Sequence, residues 1–240
     1  MMLREVSRRR WGRVPGVIVL GVPVLGALGS ACGSTVTGHP VPASSATSVQ
    51  HVTGGLTALL PRPERFPPHY TIVVLPPEQA RRAAGDLRGI PAGAEVEPAA
   101  CAAPVPEFDA GRAAIEVGSD DEARVTVTVE LVRTDEALAR VRERTGRCAL
   151  VRVRQGPLTT TVVSVPEPLP GVAADDAFAL RRTVTGTRGG AGLTQSMHTR
   201  LAQIGDVRIN VTCLTFGDEL PDTGTLDQVF TAAVDGVRHG

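Results

Sequence analysis

The chain predicts an α+β domain: one antiparallel β-sheet with two to three packed helices, preceded by a signal peptide and a flexible tether. Three observations carry this reading. Alternating runs joined by short turns crowd residues 113–215. Separate stretches near 77–87, 134–144 and 225–237 have helix signals instead. The first 31 residues follow neither pattern, being basic and then apolar.

Arg4, Arg8, Arg9, Arg10 and Arg13 lead into an apolar run, Val14 to Ala31, broken by Pro15, Pro23 and several glycines. Such a run makes a poor membrane-spanning helix and a good export signal. It ends at Leu28-Gly29-Ser30-Ala31-Cys32, which predicts cleavage after Ala31 and lipid on Cys32. The expected location is therefore the cell membrane, on its extracytoplasmic face, held by an acyl anchor of the palmitate type. Ser7-Arg8-Arg9-Arg10-Trp11 also fits a twin-arginine signal, although an ordinary arginine-rich start accounts for it.

Residues 32–54 are rich in Ser, Thr, Val, Pro and Gly and carry almost no charge. They read as a disordered tether. Residues 55–240 fit one domain of ordinary size. Thr57–Leu60 suggests a short helix end, and Tyr70–Leu75 a strand stopped by Pro76-Pro77. Pro77–Leu87 reads as a helix with proline in its first turn.

Ala113–Val117 and Arg124–Val132 form a predicted hairpin. Val125, Val127, Val129 and Leu131 share one face, leaving Thr126, Thr128 and Glu130 on an expected wet side. Thr134 is the expected N-cap of a helix to about Arg144, with Asp135 and Glu136 suiting its start. Strands are expected at 149–154, 158–165, 177–185, 193–204 and 207–215, the last two joined by Gly205-Asp206. Thr225 is the expected cap of a final helix in which Leu226, Val229, Phe230, Ala233, Val234 and Val237 share a face.

Four cysteines are present. With Cys32 lipidated, one pair and one leftover are expected in an oxidising compartment. Cys101 lies in a Pro/Ala loop and Cys148 between a helix and a strand, so these two are the expected bridge. Such a bridge contributes about 3–4 kcal/mol by the loop-entropy model. Cys213 lies on the apolar face of Val207, Ile209 and Val211 and reads as a buried, inert thiol. Zinc would need clustered ligands such as Cys-x-x-Cys, which the spacings do not offer.

All 25 basic residues are arginines. Lysine chemistry is thereby excluded. Residues 1–31 hold five arginines and one glutamate, which leaves 20 basic against 24 acidic residues, a net charge of −4. That balance argues against nucleic acid as a partner. No Gly-x-Ser-x-Gly elbow is present. Gly186–Gly192 lacks the Gly-Lys-Ser/Thr of a phosphate loop and reads as a mobile hairpin loop. Asp120-Asp121-Glu122 and Asp175-Asp176 lack the spacing of a calcium loop and read as acidic turns.

His69 reads as a turn residue at a strand start. His198 shares a polar strand face with Thr194, Ser196 and Arg200, which reads most simply as a solvated face. The sharper reading makes it the wall of a cleft, with His198, Arg200 and Arg208 facing an anionic ligand.

Cys32 followed by Gly-Ser-Thr-Val-Thr-Gly-His-Pro-Val-Pro resembles the start of many actinobacterial envelope lipoproteins. Leu59-Leu60-Pro61, Phe66-Pro67-Pro68-His69-Tyr70 and the placing of Cys101, Cys148 and Cys213 resemble an uncharacterised lipoprotein family of these bacteria. That family is similar in plan to the extracellular sensor domain of the mycobacterial kinase PknH. The resemblance covers about residues 56–238 and implies a sensor or binding domain with a cleft. The PknH-like plan also implies two disulfides, whereas this chain has cysteines for one besides Cys32 and a leftover.

The function expected is thus a non-enzymatic binding or sensor domain at the envelope, with no cofactor. Its expected partners are the membrane, through the anchor, and an envelope lipid, a cell-wall fragment or an envelope protein. The alternatives are a lipid or glycolipid carrier, and an envelope hydrolase in which His69 or His198 meets a carboxylate and a Ser or Thr.

Overall fold

A computed structural model describes residues 49–91, 93–102, 111–187, 194–217 and 219–240. The expectations for residues 1–31, for lipid on Cys32 and for the glycine-rich loop from 188 onward lie outside these residues.

The fold is α+β, built on one open, fully antiparallel sheet of nine strands. The strands are β1 (Thr71–Val74), β2 (Glu95–Glu97), β3 (Ala113–Asp120), β4 (Val125–Arg133) and β5 (Leu150–Gln155). They continue with β6 (Leu158–Glu167), β7 (Asp176–Thr187), β8 (Thr194–Ile204) and β9 (Val207–Phe216). Their order across the sheet is β1-β3-β4-β9-β8-β7-β6-β5-β2. Among the described residues there are four α-helices: α1 (Leu56–Leu59), α2 (Pro77–Asp86), α3 (Leu138–Arg147) and α4 (Thr223–His239). Two to three packed helices were expected, and α1 is the short helix expected before Pro61.

The hairpins follow from turn chemistry. Asp120 Oδ1 accepts from the amides of Glu122 and Ala123, both at 3.1 Å, and Arg124 takes φ 56° to close β3 on β4. Gly205 sits at φ 52° in the two-residue loop between β8 and β9, a conformation that costs glycine little.

One face of the sheet carries the main core. Val127, Val129 and Leu131 of β4 lie beside Val211 and Ile209 of β9, and all five are fully buried. Against them α4 lays Leu226, Val229, Phe230, Ala233, Val234 and Val237, so the face expected from their spacing is the buried one. Each large side chain so buried is worth about 1.5–3 kcal/mol. Cys213 is free and fully buried in this core.

The sequence places the cap of α4 at Thr225, but the cap is Asp222, whose Oδ1 accepts from the Thr225 amide at 2.9 Å. A carboxylate three residues upstream reaches that amide, which puts Thr225 inside the first turn. Thr134 likewise does not cap α3, which begins at Leu138. Its hydroxyl accepts from the Glu136 amide at 3.1 Å in a local turn. Glu136 is drawn instead to Arg144 and Arg208, and α3 begins only after Ala137, whose backbone is extended.

The folded part takes in residues assigned above to the tether. Val52 is buried in the main core and its amide donates to Asp206 Oδ1 at 2.9 Å. His51 and Arg133 also reach Asp206, at 2.7 and 2.8 Å.

Candidate functional site

The second face of the sheet holds a cleft. Thr128 and Glu130, expected to be wet, are 5% and 9% exposed. The register explains their company. Glu130 pairs with Asn210, Asn210 with Leu201, and Leu201 with Phe178, so one row runs across β4, β9, β8 and β7. Thr128, Thr212, Thr199 and Leu180 form the next row. Helices α2 and α3 lie over these rows rather than solvent, because Ala80 and Ala84 of α2 pack on Ile115 of β3 and Leu138 of α3 packs on Leu180 and Leu201.

The disulfide Cys101–Cys148 joins a short 3-10 turn, Ala99–Cys101, to the end of α3. It packs with Val151, Val153 and Val162 at one side of the cleft. What remains between sheet and helices is a cavity of about 460 Å³, within the range of small-molecule sites.

Its lining is divided. Over β4 and β9 it is polar, with Glu130, Arg208, Asn210 and Thr212. Over β5 to β8 it is mixed, with Val151, Val162, Leu180 and Leu201 beside Ser164, Arg182 and Thr199. The segment following α2 adds Leu87, Arg88 and Ile90, and α3 adds Val141 and Arg144. Arg182 projects from β7 on the same side and donates from Nη1 to the Leu87 carbonyl at 3.0 Å.

The charges here are held out of water. Burial pushes the Glu130 carboxyl up, and the Asn210 bond with the charges of Arg88 and Arg208 oppose that push without cancelling it. Burial also pulls the Arg88 and Arg208 guanidinium groups below their ordinary value. Arg182 comes down to about 10, first through burial and then through the charge of Arg88. Glu136 moves the other way: the Arg144 bond holds it below the usual carboxylate range. Arg208 Nε and Asn210 Oδ1 are buried without a hydrogen-bond partner among the described residues.

The residues singled out from sequence are split by the sheet. Arg208 lines the cleft. His198 and Arg200 project from the opposite face, in register with Cys213 and Val211 of the main core. They are not solvated there, being 8% and 5% exposed. His198 Nδ1 lies 3.0 Å from Glu167 Oε2, and Arg200 bridges Glu167 at 3.1 Å and Asp227 of α4 at 2.9 Å. This network ties β6, β8 and α4 together beneath the helix. His69 lies 3.6 Å from Asp120 and is exposed. Neither imidazole lines the cleft, so the hydrolase arrangement is not assembled there. Among the described residues no cluster of three or more His, Cys, Asp or Glu could hold a metal ion.

Arg88, Arg182, Glu130 and Asn210 were missed as site residues. The available signal was polar side chains recurring in the middle of long, otherwise apolar strands, Glu130 on β4 and Asn210 on β9.

No protein-family model and no curated protein matches the chain. Two solved structures are similar to it in fold. An uncharacterised protein of Mycobacterium smegmatis, the Rv0999 ortholog, is 19% identical with a TM-score of 0.44, over 73% of this chain and 92% of its own. The extracellular domain of PknH from Mycobacterium tuberculosis is 13% identical with a TM-score of 0.48, over 79% of this chain and 99% of its own.

Proposed function

We propose that this chain is a non-enzymatic binding or sensor domain, held at the extracytoplasmic face of the cell membrane by lipid on Cys32. The observation that carries the binding reading is the cleft: an open space of about 460 Å³ over a floor of mixed polarity, flanked by guanidinium groups. A structural subunit has no use for such a space, since filling it with apolar side chains stabilises a domain more. The export reading draws on the arginines at 4–13, the apolar run to Ala31 and Cys32. The bridge between Cys101 and Cys148 is in keeping with an oxidising compartment.

Native mass spectrometry of the full chain, taken gently from the membranes of its own host, tests both parts. A mass above the chain from Cys32 by a diacyl- or triacyl-glyceryl unit is expected. A further, dissociable mass is expected from the cleft's occupant. An unmodified chain overturns the anchor. A lipidated chain without a companion shifts the reading to recognition of another envelope protein.

A further inference from the structure

We infer that residues 56–66 form a pH-sensitive strap, closed over Glu116 of β3 while that acid keeps its proton and lifted from it when the acid ionises. Nothing in this device depends on the cleft or its occupant, because Glu116 lies on the other face of the sheet.

Register sets Glu116 on the core face. It pairs with Val129 of β4, whose side chain is buried under α4. Ala114 and Gly118 flank it on the same face of β3. Ala114 packs in one cluster with Leu56, Leu59 and Leu60. At Gly118 a Cβ would meet the Phe66 ring at 2.8 Å, so Phe66 rests on that backbone. The chain from α1 through a 3-10 turn, Pro63–Arg65, to Phe66 therefore crosses the stretch of β3 that carries Glu116. Glu116 is buried there, and its Oε1 has no hydrogen-bond partner among the described residues.

The cover has little to offer a carboxylate. Pro61, Pro63, Pro67 and Pro68 have no N–H. The amides of Arg65 and Phe66 already donate to the Arg62 and Pro63 carbonyls, at 2.8 and 3.1 Å. Charged groups on the surrounding elements are engaged or exposed. β1 and α1 carry none. The next on this face of β3 is Asp120, which accepts from amides of its own turn, and on β4 it is Arg133, bound to Asp206. The strap has Arg62, Glu64 and Arg65, all exposed. Beyond it the exposed His69 lies near Asp120, and Tyr70 donates to Asp222. From α4 come Asp227, bound to Arg200, and the exposed Asp235, Arg238 and His239. None of these offsets the burial of Glu116, which by itself lifts the carboxyl to about 7.

A neutral acid is tolerated in such a place, whereas a carboxylate needs donors or water. The strap is the part of the enclosure that can admit water. Ladders hold β1 and β4 to β3, and α4 lays a full apolar face on the sheet. The strap has no ladder and is tied to α4 by Gln228, whose Nε2 donates to the Arg65 carbonyl at 2.7 Å. Its surroundings stay fixed on both sides, with Val52 bound to Asp206 and Thr71 paired with Ser119. A carboxyl raised in the closed state makes closure tightest below pH 4.5; closure weakens as the pH climbs and levels off above about 7. The chain enters the sheet through this strap, so acidity sets how firmly that entry is held.

Hydrogen exchange of the full chain in phosphatidylcholine nanodiscs, read by mass spectrometry at pH 6 and pH 8, tests the device. Each rate is divided by that of Glu116→Gln under the same conditions, which cancels the base catalysis of exchange. Across residues 56–66 the ratio is expected to rise about tenfold between the two pH values, the linkage for an acid moved from 4.5 to about 7. The rise is expected to persist unchanged in dilute urea, since a local opening exposes little surface. Glu116→Met, apolar and of like length, gives the same comparison if the glutamine variant fails to fold. A ratio that stays flat overturns the device. A rise that grows with urea as exchange in β4 does means that the whole domain opens, and overturns the strap as the moving part.

Discussion

Asn210 on β9 donates its amide hydrogen to Glu130 Oε2 on β4 at 2.6 Å, across two adjoining strands in the middle of the sheet. The bond joins an amide and an acid, two kinds of group that a central strand rarely carries inward. Asn210→Ala leaves the Glu130 carboxylate in the cleft floor without its donor. A loss of about 1–3 kcal/mol in urea unfolding is expected at pH values above the raised titration of Glu130. The loss shrinks as the pH falls and Glu130 takes up its proton, because the neutral acid needs the bond less. A loss that stays constant across a pH series contradicts this account.

Glu116 on β3 is a second buried acid, 2% exposed, with Oε1 unpartnered among the described residues. Burial pushes its carboxyl up from 4.5 to about 7. Its contribution to stability is therefore full below pH 4.5 and is lost as the pH rises through about 7. Glu116→Gln is expected to raise the melting temperature at pH 8, by up to about 3 kcal/mol of stability, and to leave it nearly unchanged at pH 4.5. Melting curves of both proteins across that range decide it.

Asp206 anchors the start of the folded part. Burial alone pushes its carboxyl up, but the Val52 amide, His51 and Arg133 outweigh it and hold it below its ordinary 3.8. That stability is present above pH 3.8 and is lost as the pH falls through the lowered value. Asp206→Ala frees residues 50–54 at pH 7, at a cost of about 1–3 kcal/mol. Hydrogen exchange at the Val52 amide should accelerate far more than exchange in β4, and uniform acceleration would contradict a local anchor.

Gly236 lies inside α4, where alanine is normally favoured by about 1 kcal/mol. A Cβ there meets the Leu59 carbonyl oxygen of α1 at 2.8 Å. Gly236→Ala is therefore expected to destabilise by about 1–3 kcal/mol. Gly224→Ala, whose Cβ meets Asp222 Oδ1 at an ordinary 3.6 Å, should be neutral or slightly stabilising. Chemical denaturation of the pair separates close approach from helix propensity.

The strands and the main core were legible because a half-apolar strand announces its inner face. Val125, Val127, Val129 and Leu131 alternate with polar residues, as do Val207, Ile209 and Val211, and α4 repeats every three to four residues. The same alternation misled at Thr128 and Glu130. A polar face turned toward a cleft has the same period as one turned toward solvent. Only the long-range placing of α2 and α3 tells them apart, and nothing local in either strand records it. Arg200 and His198 failed for a related reason: their polarity is answered by Glu167 and Asp227, residues far away in sequence. The position of Cys101 and Cys148 at element junctions, by contrast, was visible locally.

The sheet's two borders share one further trait. β1 has four residues, lies after Pro67-Pro68 and is stopped by Pro76-Pro77. β2 has three, lies between Pro91 and Pro98, and sets Glu95 and Glu97 against Arg154 and Arg152 of β5. Little unpaired backbone is thus offered to a neighbouring chain, and proline and charge frame what there is. An open sheet with two long, bare borders would invite copies of the same chain to add strands to it. Blunted borders let such copies crowd together without zipping into fibrils.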